Sequence, residues 1–327
     1  MALVYPTLTS SLTASNISEF RSRIAAAKSG DIIYIIPKST INFNGVSTVT
    51  IPPGVTIASD RTAILKKSTS TGGWKDAMLT AGGKDVRVTG CILEGEMLPQ
   101  DSTSVSESMY LKGITNYGHP GLEIDNCEIR GWSYAGVFTD HCVDPHIHHN
   151  YIHHNQARGE GYGVNVNGGN ALVEANLFDN NRHSMTGGGL VGETYEFRYN
   201  VHLGHGSCIG GCHVDVHENE KYTSDGIACA GTRYIIHHNT FRNAGCPKCQ
   251  SVVHIRDNPQ IGAYIENNLI ETDWGAFGTT NYGGVQSIIY QTMNHCAKGS
   301  HARVFCSNNK WRNAVFTGNE GLLWKQG

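Results

Sequence analysis

The chain has 327 residues, more than one ordinary globular core holds, and no apolar run long enough to span a bilayer. Its net charge of -3 supplies no basic field, so neither nucleic acid nor a membrane is expected as a partner. Charged residues are only 16% and glycines number 39, a composition suited to uncharged stacked strands joined by tight turns.

Met1-Ala2 leads into a polar segment with neither a basic nor an apolar leader region. Over residues 16–27, Ile17, Phe20, Ile24 and Ala27 recur at helical spacing, and Asn16 or Ser18 can cap that helix. Ser29-Gly30-Asp31 then turns into the apolar run Ile32 to Ile36. Beyond it one phrase returns: apolar, two residues, Asn or Cys, one residue, apolar. It reads Val88-x-x-Cys91-x-Leu93, Ile124-x-x-Cys127-x-Ile129, Ile147-x-x-Asn150-x-Ile152 and Val173-x-x-Asn176-x-Phe178, and continues through Asn200, Asn239, Asn268 and Asn309. The Asn/Cys position recurs after 36, 23, 26, 24, 39, 29 and 41 residues, the signature of a solenoid. Each phrase is expected to give one strand per rung, with its Asn side chains bonded between rungs. The helix is expected to cap the first rung, whose apolar core and backbone edge would otherwise lie open.

A second column of strands follows the phrase: Gly163 to Asn167, His213 to His217, and Val253 to Arg256. If Val164, Val166, Val214, Val216, Val253 and Ile255 point inward, alternation turns Asn165, Asn167, His213, Asp215, His217, His254 and Arg256 outward. The glycine-rich rung Thr186 to Val191 should leave that face hollow. Arg182-His183 enters the same rung, and loops inserted over 201–234 and 270–303 are placed to wall a cleft. We expect one domain over 1–327.

The helix, the Ser29-Gly30-Asp31-Ile32-Ile33-Tyr34 opening and the Asn-laddered repeats together resemble the right-handed parallel β-helix proteins of the pectin lyase-like superfamily. The segment Phe20 to Ile36 is most similar to the chondroitinase B and alginate lyase group. The resemblance implies an all-β right-handed parallel β-helix with an N-terminal capping helix and a sugar-polymer substrate. Either the protein is cytoplasmic or its leader has been removed; the extracellular polymers usual for such scaffolds favour a secreted or cell-surface protein, and a capped solenoid is expected to be a monomer. Three local matches are partial. Gly204-His205-Gly206 resembles the polygalacturonase histidine motif without its acidic partners. Asp144-Pro145-His146 resembles a mannuronan C5-epimerase motif, with Ile147 where the second acid belongs. Arg182-His183, Tyr195-Glu196 and His213-x-Asp215-x-His217 together resemble a set in β-helix proteins of microbial surfaces.

Outward His213, Asp215 and His217 read in three ways: a solvated strand face, ligands for a divalent metal (zinc, manganese or calcium), or acid–base residues. Two imidazoles and a carboxylate suit zinc or manganese better than calcium, which prefers oxygen ligands. Arg182 reads either as a surface arginine bonding turn carbonyls or as a cation for a substrate carboxylate, with His183 as base or stacking partner and Tyr195 as a proton donor. Asn165, Asn167, Tyr162, His254 and Arg256 would bind substrate. Cys208-x3-Cys212 and Cys246-x2-Cys249 suit a structural zinc, disulfides or free thiols. Cations and histidines outnumber carboxylates on the expected face, which favours β-elimination of a uronate polymer. A glycoside hydrolase using Asp215 and a loop glutamate, or a non-catalytic glycan-binding or tailspike-type module, are the alternatives.

Overall fold

The computed structural model describes residues 12–73, 76–98, 110–203, 212–219, 230–243, 251–272, 287–292 and 303–312. Cys208, Cys246, Cys249, the Gly204-His205-Gly206 motif and most of the two expected loops lie outside them. The chain winds through three ladders of parallel strands. The first runs from Thr13–Ala14, paired with Ile32–Ile35, to Val304–Ser307, the second from Thr40–Asn42 to Lys310–Arg312, and the third from Val49–Ile51 to Ser287–Thr292. This is an all-β, right-handed parallel β-helix. The thirteen-residue strand Tyr162–Glu174 bridges the third and first ladders. No helix among the described residues is long and apolar enough to cross a membrane.

The recurring phrase is two short strands per rung, not one. Ile147 lies on the first ladder, Ile152 on the second, and Asn150 occupies the corner between them. Each corner residue just before the Asn/Cys position, from Asn126 and His149 to Asn267 and Asn308, takes a left-handed φ of 53–57°. The corner amides chain together. Asn150 donates its backbone N–H and its Nδ2 to Asn176 Oδ1, both at 3.0 Å, and also donates from Nδ2 to Ile124 O at 2.8 Å. The same pattern repeats through Asn200, Asn239, Asn268 and Asn309. At the start of the column Cys127 does half of this work: its thiol donates to Val88 O at 3.6 Å, as an amide would. Burial pushes that thiol up to about 12, so it keeps its proton.

A helix over Ile17–Ala26 closes the first rung. Asn16 Oδ1 accepts the Glu19 N–H, while Glu19 Oε2 accepts the Ser15 N–H, a reciprocal cap. Phe20 is fully buried and meets Phe43 edge-on at 5.5 Å.

Inside the coil, Leu79, Ile114, Val137, Val164, Met185, Val214 and Val253 stack in one fully buried column. The neighbouring register position also turns inward. It holds Gly113, Gly136, Gly163, Ser184, His213 and Val252. A Cβ placed on Gly163 would strike Ile152 and Phe178 at 3.2 and 3.3 Å, and Val252 is buried in the core. The strand thus points two consecutive residues inward at this bend, and simple alternation fails there. His213 consequently faces the interior, 4.8 Å from the ring of His202 and 6.0 Å from that of Phe241.

Two sequence expectations fall with this geometry. His213 cannot share an outer face with Asp215 and His217. Tyr195 is 2% exposed and packs in the core 4.6 Å from the Tyr234 ring, so it is no surface proton donor.

Candidate functional site

Three columns cover the outer face of the third ladder. One carries Lys112, Ala135, Tyr162, His183 and Cys212; the next Thr115, Phe138, Asn165, Thr186, Asp215 and His254; the last Tyr117, Asp140, Asn167, Gly188, His217 and Arg256. The glycine-rich rung does leave a hollow. A recess of about 220 Å³ is lined by Tyr134, Phe138, Tyr162, Asn165, Asn167, Thr186, Gly187, Gly188 and His217.

Aromatic rings form one wall, with Tyr134 edge-on to Phe138 at 5.8 Å and to Tyr162 at 5.6 Å. Beneath them the Lys112 ammonium sits 4.4 Å from the centre of the Tyr134 ring. Burial pulls this amine down to about 8, against the opposing pull of Glu160 and Asp76. The floor carries amides. Asn165 is 7% exposed, and its Oδ1 has no hydrogen-bond partner among the described residues. The far wall is His217, whose side chain is 38% exposed. Its Nδ1 lies 2.8 Å from the Glu218 carbonyl, which can only accept, so Nδ1 carries the hydrogen and Nε2 keeps a bare lone pair.

Downstream of the recess lies a buried ionic knot. Arg256 donates from Nε to Asp215 Oδ1 and from Nη2 to Oδ2, both at 2.9 Å. Burial alone would raise the Asp215 pKa, but Arg256, with His183 and His254, outweighs it and holds the group well below the usual carboxylate range. His183 Nε2 approaches Asp215 Oδ2 to 3.6 Å and His254 Nδ1 approaches Oδ1 to 3.8 Å. His183 is 1% exposed, and burial and Arg182 push its pKa far down, so it stays neutral. Its ring stacks on Tyr162 at 5.7 Å.

The structure therefore gathers Tyr162, Asn165, Asn167, His183, Asp215, His217, His254 and Arg256 on one face, as the sequence suggested. It separates His213 and Tyr195 from them. Arg182 reaches the face's edge but donates from Nη1 to the Gly159 carbonyl at 2.8 Å, bracing a turn. Cys91, Cys127, Cys142, Cys212 and Cys306, the described cysteines, are free thiols.

Sequence reading missed Lys112 and Tyr134, and took Glu193 only as a loop acid that could approach Asp215. The Glu193 carboxylate is fully buried and accepts the N–H groups of Gly168, Gly188, Gly189 and Leu190 and the Tyr234 hydroxyl. It fixes the glycine turn that opens the recess. The signal for it was a glutamate closely following three consecutive glycines. A larger hollow of about 540 Å³ on the first ladder's face includes Asp144, Pro145 and His146. Of its lining groups, His146 bonds Glu174 at 2.8 Å and Glu196 bonds Arg198 at 2.6 Å.

A coil of stacked parallel rungs bearing an aromatic and amide groove on one flank defines a class of solenoid proteins. This chain belongs to the right handed beta helix region family, whose model matches residues 10–202. No curated protein matches the sequence. Among solved structures it is similar to an alginate lyase from Paenibacillus sp. str. FPU-7, at 18% identity and a TM-score of 0.64 over 93% of this chain and 95% of that one. It is also similar to ORF18 of Geobacillus virus E2, at 12% identity and a TM-score of 0.51 over 90% of this chain and 56% of that one. At these identities the likeness shows the fold.

Proposed function

We propose that this protein is a secreted or cell-surface carbohydrate-active enzyme that cleaves an acidic, uronate-containing polysaccharide by β-elimination in the third-ladder groove. The observation that carries the reading is Asn165 Oδ1, a buried acceptor without a partner among the described residues, on the floor of a recess walled by aromatic rings. A sugar presents what such a recess lacks: hydroxyl donors for the amide and a C–H face for the rings. The similar fold of an alginate lyase supports an acidic polymer as the substrate class.

Elimination needs a base and a cation on one side of the sugar. His217 offers its bare Nε2 to the recess. Arg256 stands one rung further in the same column and uses only its Nε and Nη2 edge on Asp215, which leaves the Nη1 edge to face a uronate carboxylate. In the step, Nε2 takes the C5 proton and the C5–H electron pair becomes the C4–C5 double bond. The C4–O bond breaks, and the departing oxygen takes the proton from the imidazolium. These roles replace those first given to His183, His213, Tyr195 and Arg182. In the hydrolase alternative Asp215, held ionised, could serve only as base or nucleophile, and Arg256 already engages both its oxygens.

The test is incubation with polyuronates and with neutral glycans. A rise in ultraviolet absorbance from unsaturated uronate is expected for the former alone. His217→Ala should lower that rate by about 10²–10⁴-fold while still binding polymer. Asn165→Ala should weaken binding by roughly tenfold. New reducing ends without a double bond would point to hydrolysis, and binding without products to a glycan-binding module.

A further inference from the structure

One sequence reading of His213, Asp215 and His217 made them metal ligands, and the inward turn of His213 removes that set. A different trio converges at the base of the groove. A ring nitrogen of His183, the thiol of Cys212 and a carboxylate oxygen of Asp215 all lie within 4.8 Å of one another, and all three residues are buried.

The bonding of His183 is what points to a cation. Its Nδ1 lies 2.8 Å from the Cys212 carbonyl oxygen, with the Cys212 amide nitrogen at 3.2 Å and Sγ at 3.3 Å. The shortest contact is to an atom that can only accept, so Nδ1 carries the hydrogen. The buried Nε2 is then a bare lone pair, without a hydrogen-bond partner among the described residues, aimed at Asp215 Oδ2 from 3.6 Å. The opposite tautomer would let Nδ1 accept the Cys212 N–H at 3.2 Å but would also set its lone pair 2.8 Å from the carbonyl oxygen. In either form Nε2 has no hydrogen-bond partner among the described residues. A metal would supply one, and the Nδ1–H to backbone carbonyl bond is the usual outer support of a metal-bound imidazole. Arg256 leaves Oδ2 a second lone pair, since each carboxylate oxygen accepts more than once.

We propose that His183, Cys212 and Asp215 form a zinc site that ties strand His183–Gly187 to strand Cys212–Val216 beneath the groove. One nitrogen, one sulfur and one oxygen donor suit this borderline-soft ion better than calcium or magnesium. On binding, the Cys212 thiol gives its proton to solvent as the sulfur–zinc bond forms. The site stands independently of the elimination reaction; its three protein donors leave zinc a fourth position, which a water would fill.

The test uses the whole protein, stripped with chelator and titrated with Co²⁺ as a spectroscopic stand-in for zinc. One equivalent should bring up the near-ultraviolet thiolate-to-cobalt band, and Zn²⁺ should abolish it. Cys212→Ser and His183→Ala should lose the band; a triple variant with Cys208→Ser, Cys246→Ser and Cys249→Ser should keep it. Absence of the band in the parent protein, its survival in Cys212→Ser, or its loss in the triple variant overturns the assignment. Zinc-edge X-ray absorption on the unmodified protein guards against variants that fail to fold. A mixed sulfur and nitrogen/oxygen shell supports the site, and an all-sulfur shell overturns it.

Discussion

Two buried charges mark the ends of the groove, and they are handled in opposite ways. Asp215 is met head-on by the planar fork of Arg256, with both bonds at 2.9 Å, and its charge is locked in place. Lys112 sits over Tyr134 and Phe138, at 4.4 and 5.0 Å, and its proton is loosened to about 8. An arginine–carboxylate fork recovers what burial removes, whereas ring faces recover only part of it. The downstream end is thus an anchor of fixed charge, and the upstream wall is a soft cationic surface under aromatic rings. The recess and His217 lie between them.

The sharpest way to break this contrast is Asp215→Ala, which strands a buried guanidinium. It should cost about 3–5 kcal/mol in denaturant unfolding, and a loss under ~1 kcal/mol would show that the knot is not an anchor. Lys112→Met should act with the opposite sign and gain about 2–3 kcal/mol at neutral pH. The pH dependence fixes the cause. Between about 8 and the ordinary lysine value of 10.5 the unfolded chain holds the proton more tightly than the folded one, so parent stability rises with pH across that window. The methionine variant should lose that rise, and a rise that persists would place the loosened proton elsewhere.

Inside the coil, His202→Leu replaces an imidazole whose two nitrogens lack partners among the described residues, in a column between Phe178 and Phe241. A gain of about 1–3 kcal/mol in the same unfolding assay is expected. Gly188→Ala should have the least effect on stability. Its Cβ would come within 2.3 Å of Asn167 Oδ1, which can swing away, and 3.2 Å of the Asn167 Cα, which must give slightly, so a small fall in melting temperature should accompany a larger loss of glycan affinity.

The rungs were legible because their period is written in apolar residues and asparagines. The cap was legible in Asn16, Phe20 and Ile24. The outward placement of Asn165, Asp215 and His217 followed from alternation. His213 did not, because a strand bend that points two neighbours inward leaves no mark in a short polar run. The only trace was the glycine or serine occupying that register position in four earlier rungs. Tyr195 misled because a tyrosine two residues from an inward Phe197 shares its side of the strand, and its polar hydroxyl masks that parity. Lys112 could not be found by pattern at all, since its character comes from Tyr134 and Phe138 on the following rung.

The corner asparagines also give the coil a direction. From Asn176 onward every corner Oδ1 accepts from the backbone N–H and the Nδ2 of the preceding corner, and every Nδ2 also reaches back to a carbonyl of the preceding rung, so each link is made the same way round. Loss of one link would deprive the corner before it of an acceptor and leave more distant corners intact. Whole coils can therefore be gained or deleted between any two corners with no new terminator, and the groove is lengthened or shortened one rung at a time.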